Sequence, residues 1–252
     1  MAVKLKAKWT CSSSSIGYVT SGLILNVDGI CNTRNGHSDN LSSWQDLSGN
    51  NIDTSGLYNV TVNSDNIELA GNNTSYAIFN SNTIKSAIDN ANYTISTTIY
   101  LPSTFTETYK AIVMAGGSYA NSKMVLIFAY GGTDSATMTK CYNYSIAFWG
   151  NDTNYNFDQS YCDKKARLDY VYQSGIERIY LNGVLKASGS HSKTTLYDNR
   201  FILGVYDNTG TNQRPWEYSF DGKFYSVQVY NRALSQSEIT QNYNIDKARF
   251  NL

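Results

Sequence analysis

Proline and histidine each occur only twice in the 252 residues of this chain. His37 and His191 both sit in polar stretches, so a histidine-based metal or acid–base centre has little raw material. Charge is sparse as well: Asp, Glu, Lys and Arg make up 16% of the residues and sum to a net charge of zero. No Lys/Arg cluster is present to neutralise phosphates, which excludes nucleic acid as an electrostatic partner. The densest basic stretch, Lys4, Lys6 and Lys8, alternates with Leu5 and Ala7 and reads as an edge strand or arm. No apolar run approaches the roughly 18 residues of a membrane helix, so membrane insertion is not expected. No apolar segment follows the basic N-terminus, so no secretory signal is expected either.

The catalytic signatures are missing too. Only five glutamates occur, Glu68, Glu107, Glu177, Glu217 and Glu238, and no E-x-D-x-x-E or E-x-D-x-E pattern, which would put paired carboxylates on one strand face, surrounds any of them. There is no G-x-S-x-G elbow, no phosphate-binding loop and no dinucleotide fingerprint. The four cysteines, Cys11, Cys31, Cys141 and Cys162, include no C-x-x-C pair, which argues against a zinc ribbon. Cys11 with Cys31 and Cys141 with Cys162 are the local disulfide pairings. Four free thiols in a reducing cytoplasm are the alternative.

What is abundant is tyrosine, with 21 residues, alongside 9 phenylalanines and 4 tryptophans set among Asn, Ser, Thr and Gly. Tyr and Thr favour pleated surfaces and Asn and Gly favour turns, so the composition points to an all-β chain. Strands are expected at 22–29, 67–69, 76–79, 93–101, 111–115, 123–130, 142–149, 166–173, 176–182, 184–188, 201–206 and 224–230. Ser174-Gly175 and Asn182-Gly183 are hairpin turn signals. Lys85 to Asn90 reads as a helical turn. In the closing strand, Phe224, Gln228 and Tyr230 share one face and Tyr225, Val227 and Val229 the other, as in a half-buried strand. Ser235, three residues before Glu238, forms a capping box that opens a helix running to Phe250. Residues 1–21 read as an N-terminal arm and 22–252 as the domain.

Four segments, in order, carry a resemblance. They are Gly22–Gly29 with Trp44-Gln45-Asp46-Leu47-Ser48-Gly49-Asn50, then Tyr93-Thr94-Ile95-Ser96, then Ala166–Leu185 with Arg178-Ile179-Tyr180-Leu181-Asn182-Gly183, and the ending Phe220–Tyr243. Together they resemble laminin-G-like, concanavalin A-like jelly-roll domains over roughly residues 22–250. The resemblance implies a two-sheet antiparallel jelly-roll sandwich with a short C-terminal helix, glycan or protein binding, and often a rim calcium. Family closing strands often carry an acidic pair where this chain has Tyr225 and Ser226. Glycoside hydrolases share the superfold.

The resulting expectation is a non-enzymatic binding or adhesion module that recognises a glycan or a surface protein, extracellular and on a bacterial or phage surface. The alternative is a structural virion coat or decoration subunit that self-assembles through residues 1–21. A glycoside hydrolase is the third reading. Two aromatic, amide-rich loops are the candidate ligand sites: Trp149, Asn151, Asp152 and Tyr155 in one, and Tyr206, Asp207 and Trp216 in the other. Both tryptophans also fit caps over the core at a sheet edge. No cofactor is required; calcium is the one candidate, with Asp28, Asp207 and Asp221 at Gly-rich turns as its ligands.

Overall fold

The computed structural model describes residues 11, 16–102, 109–117, 125–131, 141–147, 152–156, 162–190, 192, 195–207, 216–217 and 219–252. The alternating runs form strands. In chain order these begin with β1 (Leu23–Asp28), β2 (Gly56–Tyr58), β3 (Val60–Val62), β4 (Ile67–Leu69) and β5 (Tyr76–Asn80). Helix α1 (Asn82–Asp89) follows, then β6 (Asn92–Leu101), β7 (Tyr109–Ala115), β8 (Val125–Gly131), β9 (Cys141–Ala147) and β10 (Asp152–Asn156). The remainder are β11 (Lys164–Gln173), β12 (Ile176–Leu181), β13 (Val184–Ser190), β14 (Arg200–Leu203), β15 (Tyr206–Asp207), β16 (Trp216–Glu217), β17 (Lys223–Tyr230) and the C-terminal helix α2 (Gln236–Phe250).

The strands build two antiparallel sheets. The first runs β13-β12-β11-β6-β17-β4-β3, with β1 also paired to β17, and the second runs β10-β9-β8-β7-β14-β5-β2. Their inner faces meet in one core, to which the first sheet gives Leu25, Ile95, Leu168 and Val227 and the second gives Phe79, Val113 and Phe201. Trp44 fills this core, and its indole N–H donates to the Asp28 carbonyl at 2.9 Å.

The turns follow their residues. Ser174 and Gly175 have φ of 48° and 88°, and Asn182 and Gly183 have 51° and 78°, the positive values a type I′ hairpin turn requires. The Trp44–Asn50 segment is a clasp for β1. The Asp46 carboxylate accepts the N–H groups of Asn26, Ser48 and Ile52, while the Asn50 amide donates to the carbonyls of Leu23 and Ile24.

Several boundaries differ from expectation for local reasons. Helix α1 starts at Asn82 because Ser81 caps it, its hydroxyl accepting the Ile84 N–H at 3.2 Å. The strand expected at 201–206 breaks at Gly204, where φ reaches +95°. Strands β2, β3 and β16 are two or three residues long, too short to show a period.

The closing strand is not half-buried. A bulge between Phe224 and Ser226 shifts its register against β6, so Phe224 joins Val227 and Val229 on the core face. Ser226, Gln228 and Tyr230 are left on the opposite face, and they too are buried, because α2 covers them. Beneath α2 lies a polar layer. Arg167 donates to Asp169 at 2.7 Å and to Gln228 at 3.0 Å, and it pairs with Asp246. Arg249 pairs with Asp28 at 2.6 Å, and Asn242 donates to the Tyr230 hydroxyl at 3.0 Å. Burial lowers the Arg167 pKa, but the Asp169 and Asp246 carboxylates outweigh it and hold the guanidinium charged.

The expected arm of residues 1–21 belongs to the fold from Ile16 onward. Ile16, Tyr18 and Val19 are buried, the Tyr18 hydroxyl donates to Asp246, and the Val19 N–H donates to Asn242 at 3.0 Å. Cys11 is tied to Cys31 by a disulfide, and Cys162 is disulfide-bonded as well, so the free-thiol alternative does not hold for these three. Residues 1–10, with the three lysines, lie outside the described residues.

Candidate functional site

The second sheet positions most of the candidate residues. In β5, Ala77 and Phe79 enter the core, so Tyr76 and Ile78 face outward. Ile78 pairs with Ile202 of β14, and Ile202 with Met114 of β7, which makes an apolar row on the outer face that is itself buried. At one end of that row stands Arg200, only 5% exposed. Its Nε donates to Asp198 at 2.7 Å, its Nη2 to the Gly117 carbonyl at 3.0 Å, and it pairs with Asp207. Gly117 is required for that approach, since a Cβ there would lie 1.6 Å from Arg200 Nη2. One guanidinium therefore joins three separate chain segments over the outer face.

Asp207 is held twice, because its N–H also points at the Met114 sulfur at 3.3 Å. It lies on β15, which pairs with β16 so that Asp207 stands opposite Trp216 and Tyr206 opposite Glu217. Tyr206 is buried, and it supports the ribbon from within rather than offering an exposed ring. The second candidate loop departs from expectation. Asp152 and Tyr155 lie on β10, an edge strand paired to β9, with Asp152 opposite Ala147 and Tyr155 opposite Tyr144. Trp149 and Asn151 lie outside the described residues.

The calcium candidates do not fit calcium. A calcium ion takes six to eight oxygens, and these carboxylates are spent on cations in three different places. Asp28 is fully buried and bound to Arg249, and its other oxygen accepts the Cys31 N–H at 2.8 Å. Burial raises the Asp28 pKa, and Arg249 pulls against that without cancelling it. Asp207 is bound to Arg200, and Asp221 faces Lys110 at 3.4 Å. Among the described residues no three His, Cys, Asp or Glu side chains converge to hold a metal.

Three of the glutamates have structural partners. Glu177 is buried and accepts the Tyr170 hydroxyl at 2.9 Å, Glu68 lies 3.5 Å from Lys223, and Glu238 caps α2. Glu107 lies outside the described residues. The described residues line shallow depressions, among them one of about 460 Å³ beside Tyr100, Asp163 and Lys165, and one of about 450 Å³ between Leu41, Leu57 and Val60.

Sequence reasoning missed Arg200 and Tyr58. Arg200 follows Asp198 by two residues, a pairing visible in the sequence, but its contacts to Gly117 and Asp207 depend on the fold. Tyr58 sits on a strand too short to be recognised, and it stands opposite Tyr76.

No helix among the described residues is long and apolar enough to cross a membrane. Among curated proteins none matches this sequence. Solved structures do match in fold. Trypanosoma rangeli sialidase in complex with sialic acid aligns with a TM-score of 0.63 at 14% identity, over 90% of this chain and 33% of that one. The receptor-binding domain of botulinum neurotoxin C/D mosaic serotype aligns with a TM-score of 0.63 at 18% identity, over 90% of this chain and 52% of the other. The botulinum neurotoxin type G receptor-binding domain gives 0.61 at 13%, with the same coverage. This chain thus spans about a third of the sialidase and about half of each toxin domain, and identities this low speak to fold alone. A laminin G family model, described as the concanavalin A-like lectin/glucanases superfamily, matches residues 69–240, more than half of the chain. Two packed antiparallel sheets, a closing strand and a C-terminal helix agree with that match, and the chain belongs to the concanavalin A-like lectin/glucanases superfamily.

Proposed function

We propose that this chain is a non-catalytic carbohydrate-recognition module that binds through the outer face of its second sheet, at the β15–β16 ribbon. The observation that carries this reading is the Arg200 junction. A buried guanidinium fixes Asp207, and with it the strand that carries Trp216. A strand anchored in this way needs little ordering on binding, and preorganisation of this kind raises affinity. The structural work done by Glu68, Glu177 and Glu238 supports a binding role over a hydrolytic one. The relatives in fold include a sialidase bound to sialic acid and toxin receptor-binding domains, which is consistent with sugar or receptor recognition. The disulfide supports work in an oxidising place, such as a cell or virion surface.

A glycan array with wild-type protein and Trp216→Ala tests this. The expected result is a signal on a subset of glycans that falls about tenfold in the variant, as for a central aromatic contact. Bound glycan should be recovered intact by chromatography. An empty array, or equal binding by the variant, overturns the reading, and release of shorter sugars overturns its non-catalytic part.

A further inference from the structure

The first sheet turns a polar face toward α2. Two cross-strand rows make it: Asp28, Ser226, Thr98 and Arg167 in one, and Asn26, Gln228, Ser96 and Asp169 in the other. All eight side chains are buried. Asp246, Asn242 and Arg249 of α2 and Tyr18 of the segment before β1 close over them and are buried too. A helix as a rule buries an apolar stripe. This part of the boundary is made of ion pairs and hydrogen bonds instead.

Among the described residues the layer holds three carboxyl groups, Asp28, Asp169 and Asp246, and two guanidiniums, Arg167 and Arg249. With every carboxyl ionised it would bury one unmatched negative charge. That is costly enough that a carboxyl in such a position takes up a proton instead. The hydrogen bonds point to the carboxyl concerned. Asp246 takes the Tyr18 and Thr98 hydroxyls and the Arg167 guanidinium, spread over both its oxygens. Asp28 gives one oxygen to Arg249 and the other to the Cys31 N–H. Asp169 differs. Arg167 Nε at 3.0 Å and Nη2 at 2.7 Å both donate to its Oδ1, and its Oδ2 accepts no hydrogen bond among the described residues. Ser96, directly across on β6, has a hydroxyl that makes none there either. A proton on Oδ2 would donate to that oxygen and leave the layer neutral.

The surroundings supply no further cation. Besides Arg167, the other elements bring Asp28 from β1, Asp246 and Arg249 from α2, and the hydroxyls of Tyr180 on β12, Tyr230 on β17 and Tyr18, each with its pKa raised by burial. Arg178 of β12 donates to Gln173 at 3.2 Å, and Lys165 of β11 to the Phe250 carbonyl at 2.8 Å. Burial raises the Asp169 pKa, and Arg167 and the nearby Ser96 hydroxyl oppose this without cancelling it. Asp169 and Asp246 share Arg167, so an ionised Asp169 repels the carboxylate that anchors α2 and, through Tyr18, the segment before β1.

We infer that Asp169 holds a proton on Oδ2, donated to Ser96 Oγ, and that its loss as pH rises loosens α2 and residues 16–21 from the first sheet. The layer is a latch, tight in mild acid and looser in alkali. This is independent of the recognition proposed above.

Asp169→Asn is the neutral isostere: it keeps an acceptor for Arg167 and offers an N–H to Ser96. Urea unfolding of the full chain tests the proton. The variant should match wild type near about pH 4, and from there to the raised folded value the wild-type unfolding constant should rise about tenfold per pH unit relative to the variant's, then level off. Asp28→Asn should instead weaken the protein throughout, because Arg249 loses its anion. If Asp28→Asn flattens the profile and Asp169→Asn does not, the assignment falls. The Asp169 carboxyl carbon should titrate, by carbon-13 NMR of wild type, above the ordinary value of about 4. A midpoint there or lower overturns the proposal, as does an Asp169→Asn chain that is less stable than wild type throughout or does not fold. Amide exchange at one alkaline pH tests the latch: residues 239–250 should exchange at least about tenfold faster in wild type than in Asp169→Asn. A difference spread evenly over β6, β11 and α2 would show that α2 does not open by itself, and the latch would be wrong.

Discussion

Replacing Arg167 with Met removes the centre of the polar layer under α2. The side chain is fully buried and serves Asp169, Asp246 and Gln228. Methionine fills similar space but leaves the buried Asp169 and Asp246 carboxylates without the cation they share. Breaking a buried ion pair by removing one partner costs about 3–5 kcal/mol. For a domain of this size that corresponds to a melting point roughly 6–20 °C lower. The loss should also depend on pH. Burial already raises the Asp169 pKa, and Arg167 is the largest influence opposing it. Without Arg167 that pKa rises further. A carboxyl with a raised folded-state pKa takes up a proton on folding, so its contribution is present at low pH and lost as pH rises through the folded value. The variant should therefore lie closest to wild type in acid and furthest from it above neutrality. Urea unfolding at about pH 5 and about pH 8 measures both effects. A loss under about 1 kcal/mol, or one identical at the two pH values, would refute the claim that this layer is a buried charge network.

Two further perturbations follow from the N- and C-terminal contacts. Glu238 is bound by Arg232 at 2.6 Å and caps α2, and chiefly through those Arg232 hydrogen bonds its pKa is lowered to about 2. Its contribution is present above the unfolded value and lost as pH falls through the folded one. Acid melts of wild type should therefore show a stability decrease toward about pH 2 that Glu238→Gln lacks. Cys11→Ser opens a disulfide that closes a 20-residue separation, and the expected cost is about 2–4 kcal/mol, read as a lower urea midpoint. A midpoint unchanged by the substitution would mean that the staple does not secure residues 16–21.

Local chemistry was legible in the sequence, and distant pairing was not. Ser235 and Glu238, or Ser174 and Gly175, act within a few residues of each other, so their geometry is written in their spacing. The bulge at Tyr225 is set by how β17 meets β6 and β1, and that one extra residue reversed the face assigned to Phe224. Asp28 and Asp207 read as turn carboxylates free for calcium because Arg249 and Arg200 are not beside them in the chain. Asp152 and Tyr155 read as loop residues because a strand of Asn, Thr and Tyr has no apolar alternation; pairing to β9 makes it one. The sandwich itself was legible because its signals, repeated strands separated by Asn and Gly turns, are local.

The central claim is that ligand meets the outer face of the second sheet at the β15–β16 ribbon. NMR titration of side-chain-labelled protein with the tightest-binding glycan tests this most directly. The Trp216 indole signal should shift and saturate. Shifts confined to the depression near Asp163 and Lys165, or to that near Leu41 and Val60, with that indole unmoved, would contradict the account.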